Sequence, residues 1–336
     1  MKRKMLSIGI AAVALAFGSY GLPATAADRA PVTVNLIAAP FGTGSYVISS
    51  ALEQISKKHP WLRIVSSESP GFVYNYKKLA NEPELQKTTI MGSGSAVAAL
   101  AQRGEKPFDK KYPPIKLLAN YNLVAVWLAT LDQNIKTVND LQGKKVALGQ
   151  APQINWAVEP RAVITVGYGI PLDRINFQYV GVQGAVAALL DGTVDAAVVG
   201  GYLDPEKGQV ALSPQTMEFV ASGRKIRHLG WTADAVKKTA ATGIPISPFT
   251  LPAKSFDGLN EALPILVDNA AWVASPNFPE DLAYEITKLI IDNVDKFADF
   301  TAIGKLMSRG ALPFGWAQQD IHPGALRAYK EAGILK

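Results

Sequence analysis

Two short glycine-broken segments carry the side chains best suited to binding chemistry, Phe41-Gly42-Thr43-Gly44-Ser45-Tyr46 and Gly92-Ser93-Gly94-Ser95. Before the first, Val32, Val34 and Leu36 alternate with Thr33 and Asn35, the period of a half-buried strand. After it, Ile48, Ala51, Leu52 and Ile55 fall on one helical face. A helix that starts at a strand end presents backbone N–H groups with no intrahelical partner, and such a start takes an anion. Thr43, Ser45, Tyr46, Ser93 and Ser95 add hydroxyls, so a carboxylate is held by hydrogen bonds without a buried cation. The same residues also read as a capped helix with nothing bound.

Aromatic residues stand at four other predicted turns: Phe72, Tyr74, Trp156 and Tyr202. Any one of them reads first as core or rim packing, because buried area is what large aromatics mainly contribute. Four at corresponding turn positions, with Asn75, Asn155 and Gly201 beside them, point to a ligand with an apolar or aromatic body. The expected ligand is a small organic acid. Its carboxylate lies at Thr43, Ser45 and Tyr46, with the backbone of Gly42 and Gly44 beneath it, and its body lies against Trp156 and Tyr202.

Catalytic patterns are missing. There is no G-x-S-x-G nucleophile turn, and Ser222-Gly223-Arg224-Lys225 matches S-x-x-K without the companion motifs of that chemistry. His59, His228 and His322 are isolated, with no H-E-x-x-H and no metal-ligand spacing, so they read as structural. Gly42-Thr43-Gly44 follows a strand and Glu68 lies near the end of the next, as in a nicotinamide site. The third glycine of that fingerprint falls at Val47, which weakens it. No enzyme activity, cofactor or metal is expected. The alternative class is a secreted α/β enzyme acting on a small carboxylate.

These residues need a scaffold. A chain of 336 residues can bury a sizeable core and suggests two domains, and 48% hydrophobic with 18% charged residues is ordinary for a globular protein. Lys2, Arg3 and Lys4 precede an apolar run over 5–17 and the small residues Ala24-Thr25-Ala26, the layout of a secretory signal peptide over 1–26. Removing it takes away three of the 34 cations and none of the 28 acids, which reduces the formal charge from +6 to +3. No basic run with interleaved aromatics supports nucleic-acid binding. Without cysteine, core burial alone must hold an exported fold together.

From residue 31 the chain alternates strand and helix signals, with strands predicted over 62–65, 88–91, 145–148, 174–180 and 195–199. Helices are predicted over 72–80, 96–102, 156–168 and 184–190. This rhythm implies a mainly parallel sheet with helices on both faces and ligands beyond the strand ends. Two long apolar runs, 123–128 and 265–274, predict two crossings between lobes, near 123–128 and 261–267. Lobe 1 is then 27–125 with 262–336, and lobe 2 is 126–261.

The chain resembles the TAXI-type solute receptors of TRAP transporters. The resemblance rests on Gly42-Thr43-Gly44-Ser45-Tyr46, on Leu141-Gln142-Gly143-Lys144-Lys145-Val146 and on Leu189-Leu190-Asp191-Gly192-Thr193-Val194-Asp195-Ala196. It continues in Asn277-Phe278-Pro279-Glu280-Asp281-Leu282-Ala283-Tyr284 and in the tail from Ile321-His322-Pro323-Gly324-Ala325 to Gly333. It implies a two-lobe periplasmic binding protein fold (type II-like), with parallel-rich sheets and a ligand cleft between lobes. It also implies a monomeric periplasmic receptor that closes over glutamate, glutamine or a dicarboxylate and delivers it to a TRAP-type membrane permease. An ABC importer or a sensor is the alternative setting. This chain departs from the family at Pro70-Gly71-Phe72-Val73-Tyr74-Asn75 and at Gly149 to Trp156, where aromatics replace small polar residues.

Overall fold

The computed structural model describes residues 30–39, 41, 43–151 and 153–336. The predicted signal segment and Gly42 lie outside them. The first half of the fold contains β1 (Val32–Ile37), α1 (Gly44–Ser56), β2 (Leu62–Ser67), α2 (Phe72–Asn81), β3 (Thr89–Ser93) and α3 (Ser95–Arg103). The long strand β4 (Lys116–Thr130) leads into β5 (Lys145–Leu148), α4 (Glu159–Ala162), β6 (Asn176–Tyr179), α5 (Val182–Leu190) and β7 (Ala196–Asp204). Next come β8 (Gln209–Leu212), α6 (Pro214–Ala221), β9 (Arg227–Leu229), α7 (Ala233–Ala240) and β10 (Ser247–Leu251). The second long strand β11 (Leu263–Ala274) returns the chain to α8 (Glu280–Asp292) and α9 (Pro323–Glu331).

The strands join in the order β2-β1-β3-β11-β4-β7-β5-β6. At 15 and 12 residues, β4 and β11 reach about 50 and 40 Å at about 3.3 Å per residue, far enough to serve both halves. Because they carry the chain out and back, they run antiparallel to each other and to β3 and β7. Parallel pairing, expected to dominate, is confined to β2-β1-β3 and β6-β5-β7. The sheet is therefore mixed, with helices packed against it.

Apolar side chains gather in two cores. One takes buried residues from Val34 to Tyr121 and from Ala270 to Tyr329, and the other takes those from Leu123 to Val267 together with Ala311. On β4 the change of core falls between Tyr121 and Leu123, and on β11 between Val267 and Ala270. The residues at the changeover, Asn122, Asp268 and Asn269, are polar and buried. Buried polar groups need partners, and the partners of these define the site described below.

Local chemistry explains the ends of the elements. Thr43 caps α1 by accepting from the Tyr46 N–H at 3.2 Å. The three histidines are structural. His59 Nδ1 accepts from the Leu62 N–H, and His322 Nδ1 caps α9 while its Nε2 bonds the Phe278 carbonyl. Trp127 Nε1 donates to His228 Nδ1 at 3.0 Å, and burial lowers the His228 imidazole to about 4, which keeps that acceptor neutral. Gly200, Gly201 and Tyr202 lie inside β7 and do not form a turn beyond it. Among the described residues, no helix is long and apolar enough to cross a membrane.

Candidate functional site

Strand register places the site. Asp268 of β11 lies opposite Val124 of β4, which lies opposite Tyr202 of β7, and one step along the sheet Ala270 lies opposite Asn122. Residues paired in register share a face, as do residues two apart on one strand. One face therefore carries Asp268, Val124, Asn122, Tyr202 and Gly200. Over Gly200 lies Trp156, whose ring would stand 3.1 Å from a methyl group placed on that glycine. The start of α1 overhangs the same region, since a methyl on Gly44 would stand 4.0 Å from the Asn122 amide nitrogen.

Tyr121 is buried beside this row, its ring 4.9 Å from that of Trp272. Its phenol is pushed upward by burial; Ser45 opposes the shift and Tyr202 adds to it. Ser45 is thus near enough to act on the phenol, yet the Tyr121 hydroxyl has no hydrogen-bond partner in good geometry among the described residues. Asn122 Oδ1 and Ser93 Oγ are likewise buried and unpartnered. Leaving such groups unpaired costs about 1–3 kcal/mol each.

Helix Ile154–Val158 leads into α4, and the Val158 N–H reaches back five residues to the Gln153 carbonyl. This wider winding brings Asn155 and Glu159 beside Asp268 and Trp156 beside Gly200. Asn155 Nδ2 donates to Asp268 Oδ2 at 2.7 Å and lies 3.4 Å from Glu159 Oε2. Ser95 Oγ donates to Asp268 Oδ1 at 2.9 Å, and the Ser95 N–H donates to Asn269 Oδ1 at 3.0 Å. Burial, then the Asp268 charge, raises the Glu159 carboxyl well above its ordinary range, and burial raises Asp268 as well.

The structure sorts the predicted residues. Thr43, Gly44, Ser45 and Tyr46 open α1, with the Tyr46 ring 5.1 Å from that of Phe41. Phe72 stands near the Gly92 backbone, where a methyl would also meet the Tyr121 hydroxyl at 3.4 Å. Trp156 and Tyr202 share the face just described. Four expectations need correction. The α3 start is satisfied by the chain itself: Asn269 takes the Ser95 N–H, and the Asp268 carboxylate is the anion held by the Ser95 hydroxyl. Asn75 donates through Nδ2 to the Ile37, Ala38 and Gly92 carbonyls and so ties β1 to β3, although its Oδ1 is left unpartnered. Gly201 belongs to strand packing, because a methyl there would stand 2.3 Å from the Ala211 carbonyl of β8. Tyr74 is 46% exposed on the outer side of α2 and is not drawn into the group.

Sequence pattern alone does not single out Tyr121, Asn122, Glu159, Asp268 or Asn269. The signal was present for β11, where Asp268-Asn269 interrupts an otherwise apolar run. Among the described residues, no group of three or more His, Cys, Asp or Glu side chains is placed to hold a metal.

The model of the NMT1-like family matches residues 36–333. The chain belongs to the NMT1-like family. Among solved structures, a TctC solute binding protein from Polaromonas is similar at 14% identity and a TM-score of 0.53, over 91% of this chain and 97% of that one. PhnD1 from Prochlorococcus marinus, in complex with methylphosphonate, is similar at 10% identity and a TM-score of 0.50, over 91% of this chain and all of that one. At these identities the likeness concerns fold, and this NMT1-like chain has the α/β fold of the solute-binding proteins.

Proposed function

We propose that this NMT1-like protein is a periplasmic solute receptor, not an enzyme, that captures a small organic acid between two lobes and delivers it to a membrane permease. The observation that carries the reading is the face shared by Asn122, Tyr202 and Trp156 at the change of core, where buried polar groups await partners. The lobes are best drawn where the cores change, near Asn122 on β4 and near Asp268 on β11. The ligand carboxylate sits at the start of α1, on Thr43, Ser45 and Tyr46, and the ligand body lies against Trp156 and Tyr202. The binding of methylphosphonate, an anion, by the similar PhnD1 fold supports an anionic solute.

Calorimetry with a panel of acids tests the ligand site. Acids with an aromatic body should bind in preference to glutamate, and Trp156→Ala should weaken them by about 1–3 kcal/mol, roughly 5- to 150-fold in Kd. Tight glutamate binding indifferent to loss of Trp156 would return the site to the pattern of the TAXI receptors the sequence resembles.

The partner is proposed on that resemblance: a TRAP-type permease driven by an ion gradient, with the receptor monomeric in the periplasm. Uptake should then follow a sodium or proton gradient in membrane vesicles depleted of ATP. Strict dependence on ATP hydrolysis would assign the receptor to an ABC importer instead.

A further inference from the structure

Two carboxyls meet where the halves of the fold join. Asp268 stands on β11 at the change of core, reached by Ser95 Oγ of α3 from one half and by Asn155 Nδ2 from the other, at 2.9 and 2.7 Å. Glu159, the first residue of α4, is fully buried, and its side chain and that of Asp268 are hydrogen-bonded to each other. Two carboxylates have no hydrogen to give one another, so one of the pair carries a proton. The donors decide which. Asp268 accepts on both oxygens and is the ionised partner, whereas Glu159 has only the Asn155 amide at 3.4 Å and keeps the proton that it donates.

No neighbouring cation takes the place of that proton. On α4, Arg161 reaches the Tyr179 hydroxyl at 3.3 Å, and on α3, Arg103 is bound to Glu105 and to the Gly243 carbonyl. The strands packed against this region contribute Tyr202 on β7 and Tyr121 on β4, both kept neutral by burial, and Asp204 at the end of β7 is held by Ser308 and Lys207. Among the described residues, no Lys, Arg or His forms an ion pair with Glu159 or Asp268. Burial raises both carboxyls, as expected of a pair without a cation. Asn155 and Glu159 lie one turn apart on either side of Trp156, and both tie their helix to β11 while the ring between them covers Gly200.

We infer that the proton shared by Glu159 and Asp268 is a clasp that fixes the Trp156 helix to β11, which makes Glu159 a positioning residue for ligand binding and makes the clasp respond to pH. When the proton leaves for the solvent, two buried carboxylates face each other over one amide, and their repulsion parts α4 from β11. Folding raises the Glu159 carboxyl, so the folded state holds the proton more tightly than the unfolded chain does. The stability that the clasp contributes is therefore complete below the ordinary carboxylate range and is lost as the pH rises through the raised value. A salt-bridged carboxylate behaves in the opposite way. The clasp stands apart from any ligand, and its effect on affinity rests on the cleft proposed above.

Amide hydrogen exchange over 153–162, corrected for the intrinsic effect of pH, tests the clasp in the unmodified protein between about pH 5 and about pH 9.5. Protection should fall at least about tenfold across that range. In Glu159→Gln a neutral amide donates to Asp268 at every pH, so protection should persist at the alkaline end, and in Glu159→Ala it should be low throughout. Denaturation midpoints measured alongside should show the glutamine variant gaining on the unmodified protein as the pH rises. Flat protection in the unmodified protein, or the same alkaline loss in Glu159→Gln, would overturn the clasp. Calorimetry with 3-phenylpropanoate reads the consequence for binding: affinity should fall at least about tenfold toward the alkaline end in the unmodified protein, and at that end Glu159→Gln should bind more tightly than it does. Affinity that stays flat while protection is lost would overturn the positioning role of Glu159. Absence of binding at both ends would overturn the organic-acid cleft, and the exchange result would still decide for or against the clasp.

Discussion

Trp272→Ala should lower folding stability by about 3–5 kcal/mol, the range for removing a large buried aromatic with incomplete collapse of the space it leaves. Trp272 is fully buried on β11, its ring packed 4.9 Å from Tyr121 and 5.7 Å from Phe297. Its Nε1 donates to Ser49 Oγ of α1 at 3.0 Å, so truncation also leaves a buried hydroxyl without its donor. The residue fixes Tyr121, the phenol beside the proposed cleft, and the ligand affinity of the surviving folded protein should fall with it. Trp272→Phe keeps most of the packing and should lose much less. Chemical denaturation of the two variants checks this, and a loss below about 1 kcal/mol for the alanine variant would mean that the site had repacked.

The sequence carried the local structure well where one principle governs each segment. Periodicity and capping located β1, α1, β5 and α8, because each depends on a face of apolar residues and a nearby turn. Sheet direction was read less well. Strand-helix alternation speaks for parallel pairing within each half, whereas β4 and β11 pair across the middle, a tertiary choice that periodicity does not encode. The run predicted over 123–128 is the second half of a 15-residue strand, whose earlier part holds Asn120, Tyr121 and Asn122. Those polar residues interrupt the continuous apolar pattern that marks a buried strand.

The candidate site was legible for the same reason only in part. Trp156 and the start of α1 announce themselves by residue type and turn position, and Tyr202 by residue type alone, since it lies inside β7. The partnership of Ser95 with Asp268 spans 173 residues and the cap from Asn269 to Ser95 spans 174. No local rule anticipates that the chain fills the second helix start with its own carboxylate. Gly94 shows the same dependence on distant structure. A methyl there would stand 2.3 Å from the Asn269 carbonyl, so the glycine that read as an anion-binding turn lets β11 pass close to α3.

The second large effect expected is movement of the whole fold on binding. The chain crosses between its cores on β4 and β11, and the β4–β11 register shifts between Ala270 and Ala271 and again between Trp272 and Val273. Such irregularities bend strands locally and lie beside the polar changeover at Asp268 and Asn269. Away from these strands, the halves meet through polar contacts such as Arg103 to the Gly243 carbonyl, Ser95 to the Pro245 carbonyl and Ser308 to Asp204. Contacts of this kind can break and re-form at modest cost, as hinge closure requires. A ligand that touches both α1 and Trp156 favours the closed arrangement by its differential contacts with the two states. Small-angle X-ray scattering, with and without a saturating acid whose binding is established by calorimetry on the same sample, tests this central claim most directly. The account predicts a smaller radius of gyration with ligand, an effect lost in Trp156→Ala at the same ligand concentration. Superimposable profiles with the ligand tightly bound would contradict it.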